Sequence, residues 1–460
     1  MNTFSLLTTA WLPVRYRDGT TGKLAPVGLT DEYVVDIAAT RADLQGAVWQ
    51  FLIGLLQCAV APKNRNGWED TWEEGLSAET LVAALAPLEA AFQFGPDTPS
   101  FMQDFDSLAG DKVSIASLLP EVPGAQTTKF NKDHFIKRGV TNSFCPHCAA
   151  LALFSLQLNA PSGGKGYRTG LRGGGPLTTL IELQEYEGER LTPLWRKLWL
   201  NVLPQDAADM PLPAAYDESV FPWLAPTRTS EQASAITTPE QVDKLQAYWG
   251  MPRRIRLDFA ATQPGTCDIC ASESDGLLSQ MAVKNYGINY DGWRHPLTPY
   301  RLALKGDGGF FSVKPQPGGL IWRDWLGLSQ DNQTESNSEY PAQVVKVFNA
   351  RGLRNIKAGL WGFGADFSFI DIDFWNQTQP LFLNLIHELE NGQPAQERLD
   401  KWQRELWLFV RRCFDDRVFT NPYENNDLAR CMAARKKYFA TSAEKQSAKA
   451  ARAKKQEAAQ

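Results

Sequence analysis

The chain has 460 residues, 43% of them hydrophobic and 22% charged, which is ordinary for a folded globular protein and excludes a disordered class for the bulk of it. A formal net charge of -5 argues against wrapping nucleic acid by bulk electrostatics, so any such contact has to be made by local basic patches. No apolar run reaches the roughly 18 residues that span a bilayer, and the opening Met1-Asn-Thr-Phe-Ser-Leu-Leu lacks the basic segment and cleavage site of a signal peptide, so a cytoplasmic protein with no membrane partner is expected.

In chain order, Ala10-Trp-Leu-Pro-Val-Arg-Tyr-Arg-Asp-Gly19 predicts a strand and a turn at Asp18-Gly19, followed by a second strand through Leu24-Ala-Pro-Val27. Leu44, Val48, Phe51, Leu52, Leu55, Leu56 and Ala59 recur at helical spacing and predict a helix from Arg41 to about Val60. A second helix is predicted from Ser77, its N-cap, to Phe92, ending before Gly95-Pro96. From Pro96 to Phe144 the chain has little periodicity and reads as a long ordered loop system. Within it, Lys129-Phe-Asn-Lys132 and Phe135-Ile-Lys-Arg138 interleave rings with charge, the composition of a nucleic-acid-contacting loop or of a solvated basic one.

Cys145-Pro-His-Cys148 then opens a helix through Leu158, and Pro161-Ser-Gly-Gly-Lys-Gly-Tyr-Arg-Thr-Gly-Leu-Arg-Gly-Gly-Gly-Pro176 follows as the densest glycine segment. Glycines let one backbone approach another closely, and Lys165, Arg168 and Arg172 add charge; a plain flexible loop is the competing reading. The segment is neither a Walker loop nor a dinucleotide fingerprint, because no Gly-Lys-Ser/Thr opens a helix and Pro176 to Leu183 reads as a strand. A Pro- and Ala-rich connection leads to the basic strand Pro252-Arg-Arg-Ile-Arg-Leu257 and to Cys267-Asp-Ile-Cys270. Phe369 to Phe374 alternates as a strand, the chain from Pro380 reads as helical, and Lys445 to Gln460 is a basic tail without an apolar stripe.

Four of the seven cysteines form the two Cys-x-x-Cys pairs, which match structural zinc spacing even across a long insertion. The expectation is one closed Zn2+ site of Cys145, Cys148, Cys267 and Cys270, with a redox role as the alternative. His147 lies inside the first pair and is a spare ligand candidate, while Cys58, Cys413 and Cys431 read as core residues. None of the four histidines sits in a zinc-hydrolase or deaminase pattern. Asp371 and Asp373 share a strand face, as a two-metal nuclease needs and as an ordinary solvated face also produces; Asp104 and Asp106 read as solvated in the same way.

Trp11-Leu-Pro-Val-Arg15, Phe101-Met-Gln103, both cysteine pairs, Gly170-Leu-Arg-Gly-Gly-Gly-Pro-Leu-Thr-Thr179, Lys284 and Trp293-Arg-His-Pro296 follow one another in this order. In that order the chain resembles the CasA family, the large subunits of the type I-E CRISPR surveillance complex Cascade, over roughly residues 8 to 375 and again in the last two helices. The resemblance implies an α+β protein: a large mixed domain over 1–375 carrying the zinc site, then a shortened C-terminal helical bundle over 376–460. It implies a DNA-recognition subunit rather than an enzyme, with guide RNA, target double-stranded DNA, other Cascade subunits and a helicase-nuclease as partners.

By position, the resemblance puts a motif-reading glycine loop on Gly163, Gly164, Lys165 and Gly166 and a minor-groove lysine on Lys284, both directed at the protospacer-adjacent motif. A strand-separating wedge that starts R-loop formation falls on Ala365, Asp366 and Phe367, where this chain departs from the family's amide residues. The contact to the guide-RNA handle or a neighbouring subunit falls on Phe130 and Asn131. The two readings that compete with motif recognition are a metal-dependent nuclease built on Asp371 and Asp373, and a zinc-stabilised scaffold that binds only guide RNA and protein.

Overall fold

The computed structural model describes residues 2–110, 112–122, 129, 139–232, 234–302, 309–316, 319–320, 324–333, 338–366 and 373–380. All of them fall in the first of two compact units, Met1–His387. Among the described residues no helix is long and apolar enough to cross a membrane.

The helix Ala42–Ala59 forms where the apolar periodicity predicts it, and it is buried on nearly every side, so it is the axis of the core rather than a surface helix. Phe51 at its centre is fully buried and meets Trp11, Phe92, Phe101, Phe154 and Trp249 edge-on, at centroid distances from 5.3 to 5.9 Å. These rings come from five separate stretches of chain, and edge-to-face packing of this kind adds about 0.5–1.5 kcal/mol per pair beyond area burial. Gly46 on the same helix lies so close to Phe363 that any side chain there would collide with the ring.

Around this helix stand small antiparallel sheets. Strand Leu12–Tyr16 pairs with Thr21–Leu24 and Val34–Ile37, so the N-terminal hairpin forms, but its second strand ends at Leu24 and Pro26–Gly28 is a 3-10 helix instead of strand. A second sheet orders Lys112–Ser114, Gln280–Lys284 and Arg254–Leu257. A third orders Asp373–Pro380, Ile356–Asp366 and Thr178–Tyr186. A fourth places Phe310–Ser312, Tyr300–Leu302, Ser338–Tyr340 and Asn332–Gln333 side by side. Helices and strands are interleaved along the described chain and the paired strands run antiparallel, a mixed α and β architecture.

Ser77 caps the second predicted helix by accepting from the Thr80 N–H. The α-helix ends at Leu85, and Ala86–Phe92 continues as a 3-10 helix, because Pro87 has no N–H to give an α-helical bond. Helix Arg65–Glu74 has no counterpart in the sequence reading. It is mostly polar, and its helical face is only Trp68 and Trp72, stacked at 5.6 Å behind an Asn64 N-cap. The Pro- and Ala-rich connection is part of the core: Phe221, Trp223 and Trp249 within it are fully buried. The helices expected beyond Pro380, with Cys413, Cys431 and the basic tail, lie outside the described residues, whereas Trp375 to Pro380 is strand.

Candidate functional site

The two cysteine pairs meet. Cys145 is the N-cap of helix Pro146–Asn159, with Pro146 at the first helical position, and Cys267 and Cys270 lie in the turn between strands Gln263–Thr266 and Glu273–Leu277. Sulfurs of Cys145, Cys148, Cys267 and Cys270 all lie within 4.8 Å of one another, and Cys145 Sγ is 3.8 Å from Cys270 Sγ. A divalent cation held tetrahedrally by thiolates at about 2.3 Å sets its sulfurs roughly 3.8 Å apart, so the set fits a closed four-thiolate metal site. Among the described residues no other His, Cys, Asp or Glu cluster has this proximity.

Around the sulfurs, backbone groups tie the two segments together. Cys145 N–H donates to Cys267 Sγ at 3.2 Å, and Phe144 and Leu278 exchange backbone bonds of 2.9 and 2.8 Å. Asp268 Oδ2 accepts from the Asn142 and Ser143 N–H groups at 2.7 and 2.8 Å. Taken as thiols alone, hydrogen bonding from Cys148 pulls Cys270 down to about 5, against burial. Hydrogen bonding to Cys145, Cys267 and Cys270 pushes Cys148 up. A buried cluster with some sulfurs inclined to thiolate is the donor set a cation completes. His147 is not one of the set: its Nδ1 lies 3.2 Å from Lys23 Nζ and its ring packs on Phe4.

The glycine loop is bonded to the residues that directly follow Lys284, although 118 positions separate Gly166 from Lys284 in the chain. Lys284 ends strand Gln280–Lys284, directly across from Arg254, and is exposed. The next two residues hold the loop: Asn285 Nδ2 donates to Lys165 O at 2.8 Å, and Tyr286 N–H donates to Gly166 O at 2.8 Å. Gly166 has φ +80°, and a Cβ there would lie 2.9 Å from Asn285 Cβ, so both conformation and space demand glycine. Gly163, Gly164 and Lys165 are exposed, and a Cβ at Gly164 would meet nothing within 4 Å. Tyr167 closes the loop, 45% exposed, with the Arg253 guanidinium 4.6 Å from its ring centroid. Asn285, Tyr286 and Arg253 carry no motif signature, and only their contacts with the loop show their part.

Several basic residues have internal partners instead of a solvent-facing role. Arg172, read from sequence as loop charge, is buried and donates to Gln50, Thr178 and Thr298 at 2.8–3.0 Å. Arg168 donates to Ser230 Oγ and O. The second half of the glycine segment is therefore structural: a Cβ at Gly170 would lie 2.6 Å from Leu158 O. Asp104 is not solvated either; it is fully buried and accepts from Arg254 Nε at 2.6 Å, while Asp106 accepts from Arg254 at 2.7 Å. An unpaired buried guanidinium is costly, which is why the acids accompany it.

Ala365 and Asp366 lie at the end of strand Ile356–Asp366, opposite Phe374 and Asp373 in register. The backbone there is one arm of an antiparallel pair in which Asp366 is registered with Asp373. Phe367, Asp371, Phe130 and Asn131 lie outside the described residues, so no Asp371–Asp373 pair is described.

A sequence model of the family described as CRISPR-associated protein Cse1 matches residues 5–368. Among solved structures, the fold is similar to Thermobifida fusca Cse1, with 17% identity, 85% of this chain and 75% of that chain covered, and a TM-score of 0.61. It is similar to Thermus thermophilus CasA (Cse1), with 19% identity, 83% and 76% coverage and a TM-score of 0.58. A chain of a CRISPR RNA-guided surveillance complex also aligns, with 15% identity, 94% and 87% coverage and a TM-score of 0.58.

Proposed function

The chain belongs to the CRISPR-associated Cse1 family, and from that premise we propose that it is the large subunit of a type I-E Cascade that inspects double-stranded DNA for a protospacer-adjacent motif. In this reading it works as a non-catalytic recognition subunit beside guide RNA and the other Cascade subunits. The helicase-nuclease acts after it.

The observation that carries the reading is the docking of the Gly163–Gly166 loop onto the end of the strand that bears Lys284. Gly163, Gly164, Lys165 and Lys284 are all exposed and the loop is bonded to the two residues after Lys284, which supports a shared surface of glycine backbone and ammonium. Minor grooves present acceptors at every base pair, so N–H groups and a lysine suit them and give tolerant reading. Motif contact of this kind needs the two parts in fixed register, and Asn285 and Tyr286 provide it. The four-cysteine centre, as a structural Zn2+ site, ties the start of the helix before the loop to the hairpin before Lys284. Closed four-thiolate zinc has no free coordination position, so its chemistry is positional.

The test is Lys284→Ala in the assembled, guide-loaded complex. Motif-dependent duplex binding falls on the order of tenfold, with complex assembly unchanged. Affinity that stays the same across a panel of motif sequences rejects the reading. Gly166→Val is expected to weaken motif discrimination as well, because the new side chain meets Asn285 and Tyr286 and the residue is held at positive φ. Duplex binding that ignores both substitutions would instead mark the chain as a scaffold for guide RNA and protein.

A further inference from the structure

Away from the glycine loop, one surface alternates cations with aromatic rings. Arg294 lies over the Phe310 ring at 4.1 Å and 5.7 Å from the Tyr300 centroid, and Phe310 meets Tyr340 edge-on at 5.5 Å. Lys346 Nζ then lies 5.1 Å from the Tyr340 centroid. The row is built by strand pairing, since Tyr300–Leu302 stands between Phe310–Ser312 and Ser338–Tyr340. Phe310 is 40% exposed and Phe311 64% exposed, unusual for residues in a sheet. Successive side chains on a strand alternate faces, so Phe311 belongs to the opposite side from Phe310.

Charge distinguishes the row from simple packing. Lys346 pairs with Asp331, but Arg294 is exposed and makes no ion pair among the described residues. Beside the row opens a cavity of about 470 Å³ whose wall includes Arg294, Tyr300 and Lys346. That volume is ample for one nucleotide. The strand carrying Phe310 is also tied to the glycine segment, through Ser312 Oγ donating to Arg172 O at 2.5 Å and Leu177 N–H donating to Val313 O at 2.8 Å.

We propose that the Arg294–Phe310–Tyr340 face binds an unpaired nucleic-acid strand, stacking a base on the Arg294–Phe310 pair and neutralising the adjoining phosphate with Arg294. Base stacking on aromatic and guanidinium planes, with a cation at each phosphate, is how single strands are held without sequence preference. A lipid surface would need a continuous apolar patch instead of rings separated by cations. The proposal rests on the nucleic-acid role given above, but its test uses no duplex and no motif, so the two fail separately.

Fluorescence anisotropy of the full chain is measured with labelled oligothymidylate and, in a second arm, oligouridylate. Phe310→Ala and Arg294→Ala each weaken binding roughly five- to a hundredfold, while Phe311→Ala, on the other face, leaves it unchanged. Arg294→Lys restores the salt dependence but not the full affinity, because the planar stack is lost. A stronger effect with one oligonucleotide identifies the strand as DNA or RNA. No oligonucleotide binding by the unaltered chain, or equal binding by all variants, overturns the proposal. Loss of complex assembly with unchanged strand binding also overturns it and marks the face as a protein-docking surface.

Discussion

Cys267→Ser is expected to release the metal and to destabilise the protein by about 3 kcal/mol or more, since loss of a structural metal is among the largest single-residue effects. Cys267 is buried, accepts the Cys145 N–H and sits in the turn that the Asp268 carboxylate ties to Asn142 and Ser143. Without the cation, the remaining sulfurs are two buried thiols and the half-buried Cys270, with no common charge to hold them together. Metal content falls from one equivalent, the melting temperature drops, and amide exchange rises first at Phe144, Leu278 and the strands around the turn. A chain that lacks metal yet melts and exchanges like the unaltered protein would sink the structural role. Cys58→Ser provides the contrast: it too is buried, but it is not among the four clustered cysteines and its sulfur accepts from Trp249 Nε1 at 3.2 Å, so metal content stays intact.

Asp104→Ala is expected to be of similar size, about 3–5 kcal/mol, because it leaves the Arg254 guanidinium buried without its inner partner. Arg254 is 3% exposed and Asp104 is 0% exposed, so water cannot take the place of the lost carboxylate. Asp106, 59% exposed, remains and offsets part of the loss. Urea unfolding measures the change, and the double variant Asp104→Leu with Arg254→Met tests its cause. If the penalty is the orphaned charge, the double variant is less destabilised than Asp104→Ala alone. Equal or additive losses would show that packing, not the ion pair, sets the cost. The consequence for the site is direct: Arg254 stands across from Lys284, so loosening this strand moves the lysine.

Much of the architecture was legible because the signals are local. Ser77 caps a helix with its own side chain, and the apolar periodicity from Leu44 to Ala59 needs no partner to be read. Arg65–Glu74 was not legible because two tryptophans on a polar segment gain their meaning only from Trp199 and Tyr186 packed against them. Asp104 and Arg172 were misread for the same reason: a charged residue looks solvated until a partner more than a hundred positions away, Arg254 or Thr298, comes into contact with it.

The sequence alone determined the four metal-ligand candidates, because ligand chemistry requires particular atoms at short spacing, and two Cys-x-x-Cys pairs leave few other readings in a chain with little disulfide character. It also determined the order of motifs that identified the family. Tertiary structure decided which of the basic residues face outward. Lys165 and Lys284 remain exposed, with Lys165 O bonded to Asn285 next to Lys284, whereas Arg168, Arg172 and Arg254 turn inward to hydroxyls, amides and carboxylates. The physical reason is that charge is a property of a residue, but its availability depends on long-range partners, and those are fixed only when antiparallel strands distant in sequence pair in register.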